Sequence, residues 1–207
     1  MTSATASSSP DFPTGVAGSP SGESSAPTRS VTSSGAPASG DHPVPASPLK
    51  TVTVHAQENR TYVVEIWAQV HDDSCFDHAY GQQMIAFLIQ HPCHGLDRYL
   101  GTTTVGGRPA AFAESVTGFS GTAKDPYVNS TEFTRLEEAD GTGSINDLLR
   151  EGYRLPSGPG AVPAAEAFNV LGQDNGVTVW DAWYLDGATR TNDSALVQMT
   201  KDIFLQF

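Results

Sequence analysis

The chain has 207 residues and carries 11 basic against 23 acidic side chains, a formal net charge of −12 at neutral pH. A surface this acidic repels a phosphate backbone and an anionic bilayer alike, which excludes a nucleic-acid partner. The longest uninterrupted apolar run is Met84 to Ile89, far short of the roughly 18 to 20 residues that cross a bilayer, so no transmembrane span is expected.

The residues divide into two kinds of sequence. Of the first 50 positions, 38 are Ser, Thr, Pro, Gly or Ala, with no Cys, Trp or Tyr. Such a stretch buries too little apolar surface to offset the roughly 1 to 2 kcal/mol per residue of backbone ordering entropy, and it reads as a disordered spacer. Residues 51–207 hold every Trp, Tyr and Cys and are sized for one domain. The spacer's five charged residues account for one negative unit, so the domain keeps about −11. Met1-Thr2-Ser3-Ala4 has neither the positive nor the apolar part of a signal peptide. A Ser/Thr/Pro spacer nevertheless commonly separates an anchor from an exported domain. An extracytoplasmic or cell-envelope location is therefore expected, with a cytoplasmic one as the alternative.

In chain order, Thr51 to His55 and Thr61 to Val70 alternate apolar and polar residues and predict strands, with Val64, Ile66, Ala68 and Val70 sharing a face. The uncharged stretch Ala79 to Gln90 predicts a helix, ended by His91-Pro92 because a residue before proline avoids the α region. A helix so apolar all round is a candidate homodimer surface. Gly106-Gly107 between Leu100–Val105 and Arg108–Phe119 is a two-residue hairpin turn. A helix from Asn129, Ser130 or Thr131 to Ala139 follows, then a second from Ile145 to Gly152 behind the capping box Ser144-x-x-Asp147, and a third over Ala164 to Leu171. Val177 to Leu185 predicts a strand and Ser194 to about Phe207 a helix whose last aromatic tucks into the core. This order predicts an α+β domain, a mixed or antiparallel sheet with helices mainly on one face. A ferredoxin-like arrangement fits that order.

Chemistry concentrates around the first helix. Cys75 and Cys93 bracket it, and a disulfide between them requires the flanks to fold back along a helix about 18 Å long. The same region, Cys75-x-x-His78 with Cys93-His94, offers thiolates and imidazoles that suit zinc, the alternative to a domain with no cofactor. Glu65 and Asp181, each two residues before a Trp on a strand, are candidates for an acid and base pair. Trp67, Trp180 and Trp183 are candidates for a ligand-binding face. Asn59, Asn129 and Asn192 open formal glycosylation sequons. Asp140 to Glu151 has the outline of a calcium loop, but Ile145 stands where the sharp turn demands Gly. No Gly-x-Ser-x-Gly, phosphate-cradling loop or His-Glu-x-x-His is present.

The runs Cys75 to Gly81 with His91-Pro92-Cys93, Asp147 to Gly158 and Trp183 to Phe207 resemble anchored or secreted, lipoprotein-like proteins of actinobacteria, to which no activity is attached. The resemblance covers most of residues 61–207. It implies an extracytoplasmic setting and no reaction. The first expectation is thus a non-catalytic extracytoplasmic domain that binds a partner or small ligand at the cell surface. A metal-binding protein or enzyme using Cys75, His78, Cys93 and His94, and a dimerising cytoplasmic module, are the alternatives.

Overall fold

The computed structural model describes residues 40–119, 125–139, 141–173 and 175–204. Eight strands and three helices follow one another as β1 (Lys50–His55), β2 (Thr61–Asp72), β3 (Ala79–Tyr80), α1 (Gln82–Gln90), β4 (Cys93–Val105), β5 (Arg108–Phe119), α2 (Asp125–Glu138), β6 (Ser144–Ile145), β7 (Ala167–Gln173), β8 (Gly176–Tyr184) and α3 (Ser194–Ile203). Six strands form one antiparallel sheet in the order β1-β2-β4-β5-β8-β7, and β3 pairs with β6. The α+β class with an antiparallel sheet is as the sequence predicts. The order is a meander joined to a β7–β8 hairpin, in place of the split β-α-β units of a ferredoxin-like fold.

Both faces of the sheet are covered. On the back, α3 lays Leu196, Met199 and Ile203 against Val64, Ile66, Phe112 and Trp180. Asp193 starts that helix by accepting hydrogen bonds from the N–H groups of Ala195 and Leu196. On the front, Met84, Phe87 and Leu88 of α1 and Phe133 and Leu136 of α2 pack over Leu96, Phe119, Val177 and Val179. Beside them, Leu148, Leu149 and Leu155 descend from the connection after β6 onto Ala68, Leu100, Ala111 and Trp183. Because α1 turns Met84, Phe87 and Leu88 into its own core, the large apolar side chain it leaves outward is Ile89, 61% exposed.

Two local features decide where side chains point. The β2–β4 register shifts between Ile66 and Ala68, a bulge that makes Trp67 the extra residue. Val64 and Ile66 therefore face α3, whereas Ala68 and Val70 face the front. The single face expected for these four residues is split by that bulge. Gly81 and Gly143, at φ +83° and +107°, lie so close that a Cβ on Gly143 would stand 1.9 Å from the Tyr80 carbonyl oxygen. This close crossing places Ala79–Tyr80 against Ser144–Ile145 and delays the start of α1 to Gln82, where the sequence predicts helix from Ala79.

Three other expectations are corrected. Residues 145–152 form no helix: the Asp147 carboxylate accepts from the Arg150 N–H in a local turn, as a cap does, but the leucines are drawn down to the sheet. Residues 167–173 are the edge strand β7, because Val170 and Phe168 find a pleated partner in β8. The folded part also begins before residue 51. The His42 ring stacks on Tyr153 at 3.8 Å, the His42 backbone N–H donates to the Gly152 carbonyl, and Lys50 already belongs to β1. Residues 1–39 and Phe207 lie outside the described residues.

Candidate functional site: the groove beside Trp67

The strand registers place front-face side chains in rows across the sheet. One row runs Glu65, Thr102, Ala111, Trp183, and the row at the sheet's end runs Val63, Thr104, Pro109. Here the connection after β6 has passed beyond Leu155, and Pro156 and Ser157 stand as a wall instead of a cover. The result is an open groove of about 300 Å³ lined by Val63, Glu65, Trp67, Thr102, Pro109, Pro156 and Leu185 among others. Thr102 on β4 and the half-buried Trp67, aimed by the bulge, shape its floor and side. Bulges commonly re-aim a side chain beside a binding site in this way.

A polar chain fixes the groove's geometry. The Trp67 indole N–H donates to the Thr102 hydroxyl oxygen at 2.9 Å, and that hydroxyl donates to Glu65 Oε2 at 3.2 Å. The ring and the carboxylate are thereby oriented towards one another's side of the groove. Among the described residues no Lys, Arg or His forms an ion pair with Glu65.

The sequence-derived candidates separate. Cys75 and Cys93 are joined in a disulfide, Cα atoms 5.9 Å apart, so neither thiol is available to zinc in this state. His78 turns instead into an ionic cluster around Arg98, while His94, the extra residue of a second bulge between Cys93 and Gly95, is exposed. No group of ligating side chains that could hold a metal ion is found among the described residues. Trp180 and Trp183 are both fully buried, on opposite faces of β8, the first with the α3 cluster and the second with the front cluster. The three-Trp face is therefore reduced to Trp67. Glu65 and Asp181 share the front face but are separated by β4 and β5, about 14 Å at the usual strand spacing, so they form no acid and base pair. Of the sequons, Asn129 is buried, and Asn59 and Asn192 lie in turns at φ +58° and +55°.

Sequence reasoning missed the buried charge. Arg98, 1% exposed, donates to Asp72 and Glu151, each at 2.7 Å, and to the Asn146 carbonyl at 3.0 Å. His78 sits between the same carboxylates, at 2.8 Å from Glu151 and 3.3 Å from Asp72. The signal available was a lone Arg within the apolar, small-residue strand Leu96 to Val105. This cluster ties β2, β4, the disulfide loop and residue 151 together at the end of the sheet opposite the groove.

Two further acids are shifted by their surroundings. Burial pushes Asp181 well above the usual carboxylate range, helped by Asp147, Glu166 and Glu137, and pushes Glu137 up to about 7 against a weaker pull from Ser144 and Ile145. The folded state therefore holds a proton on Glu137 that the unfolded chain releases near pH 4.5. Its contribution to stability is complete below that pH and is lost as pH rises to about 7. Replacing Glu137 with Gln is expected to flatten this decline and to leave the variant up to about 3 kcal/mol more stable than wild type at pH 8. Urea melts from pH 4.5 to 8 check it. A decline of unchanged steepness in the variant would assign the loss to other groups.

Comparison with known proteins adds no relative: no family model, no curated protein and no solved structure matches the chain.

Proposed function

We propose that the chain is a non-catalytic extracytoplasmic domain that binds a partner or small ligand at the cell envelope through the groove beside Trp67, with its Ser/Thr/Pro-rich N-terminal segment as spacer. The observation that carries this reading is the groove itself: an aromatic ring and a carboxylate oriented by Thr102, among prolines and aliphatic side chains. Half of the groove's lining is polar, threonine and serine hydroxyls with Glu65, and half is apolar; polar groups fixed beside apolar surface are what orient a ligand in a recognition site. The groups nearest Glu65 are an indole and threonine hydroxyls, which position a ligand and do not exchange protons near neutral pH. The setting is supported by the Cys75–Cys93 disulfide, since disulfides persist in oxidising compartments. The composition of residues 1–50 supports it as well.

Co-sedimentation with the envelope fraction of the source cells tests the reading. Wild-type chain is expected in the pellet, and a Trp67→Ala, Glu65→Gln variant of unchanged melting temperature in the supernatant. Equal partition of the two proteins would overturn it.

A further inference from the structure

The domain holds its cations in a recurring way. Arg108 lies over the Tyr184 ring, 3.5 Å from its centroid, while pairing with Asp186 at 2.7 Å. Arg150 lies over the Tyr80 ring at 4.1 Å while facing Asp147 at 3.7 Å. In each case one guanidinium meets an aromatic face and a carboxylate, gaining from both the ring quadrupole and the opposite charge. Trp67 and Glu65 make a third aromatic and carboxylate pair, held by Thr102, and among the described residues no cation fills it.

Resting on the reading just given, we infer that this groove takes a Lys or Arg side chain carried on an extended, proline-containing segment of a protein partner. A carboxylate fixed beside an aromatic ring offers a cation an opposite charge and a π face together. The net charge of −12 steers basic partners towards the domain. The shape of the segment follows from the sheet. The groove lies over β2, β4 and β5, whose main-chain groups are spent on one another in the ladder, so a ligand cannot add as a strand. What remains is recognition by side chains, which suits the polyproline II conformation because it makes no ladder of its own and loses little entropy on binding. Pro109, Pro156 and Leu185 supply the flat apolar surface such a segment packs on.

The test uses the full chain, labelled with ¹⁵N, and two blocked pentapeptides, Pro-Pro-Arg-Pro-Pro and its citrulline counterpart, which keeps the shape of arginine and removes the charge. Chemical-shift changes are expected at Glu65, Thr102, Leu185 and the Trp67 indole, with the citrulline peptide bound about 10-fold more weakly and the difference shrinking at high salt. Glu65→Gln should abolish the preference, and Trp67→Phe, which preserves the packing, should weaken both peptides. Equal affinities, shifts centred elsewhere, or no binding of either peptide would overturn the inference. Free arginine amide binding as tightly as the peptide would overturn the protein partner in favour of a small amine. Envelope retention that depends on Trp67, together with peptides that bind equally, would leave the functional reading standing and sink only the cation.

Discussion

Replacing Arg98 with alanine should cost the fold about 3 to 5 kcal/mol, the usual penalty for breaking a buried ion pair by removing one member. The size follows from what is left behind. Asp72 and Glu151 each lose a 2.7 Å partner, and the Asn146 carbonyl loses its donor, in a place where the guanidinium was 1% exposed. The damage should come from the stranded charges more than from the vanished side chain. Adding Asp72→Asn and Glu151→Gln to Arg98→Ala should therefore recover more than half of the loss. Urea denaturation of the single and triple variants decides it: a triple variant as unstable as the single would mean that Arg98 acts through packing alone.

The second large effect is the disulfide. Cys75 and Cys93 are 18 positions apart, and closing a loop of that length stabilises a domain by about 3 kcal/mol in the chain-entropy account. Within the loop lie β3, α1 and His78, the residue between Asp72 and Glu151. A Cys75→Ser, Cys93→Ser variant should melt lower by about this amount and lose amide protection first in α1. The expected order of loss reflects how α1 is held, since the segment that carries it is closed at both ends by the disulfide and Cys75 and Cys93 belong to its own packing cluster. Hydrogen exchange with uniform loss across the sheet would contradict it.

Much of the sheet was legible in the amino-acid pattern, because β1, β2 and the Gly106-Gly107 hairpin announce themselves by alternation and by two glycines at positive φ, +58° and +81°. The pattern failed where tertiary contact overrides local preference. Ser144-x-x-Asp147 carries a helix-start signature, yet three leucines behind it serve the front core better as an irregular cover. Residues 164–171 sit between Pro163 and Gly172 as a helix would, but from Ala167 onward an edge position beside β8 decides their conformation. The site was half legible: Trp67 and Glu65 stood out singly, while the bulge that joins them to Thr102 depends on register between β2 and β4, which no local signal encodes. Arg98 and Glu137 were hidden for a similar reason, since a charge in a strand or helix reads as solvated until its neighbours are known.

An exported, disulfide-closed binding domain, as proposed, keeps its cysteines oxidised in the source cells, and their thiol state is measured directly. Cells are quenched in acid, alkylated under denaturing conditions without reductant, and the peptides bearing Cys75 and Cys93 are weighed. Both residues are expected to escape alkylation and to appear as one cross-linked species. Stoichiometric alkylation of both would place the chain in a reducing compartment and overturn the extracytoplasmic reading.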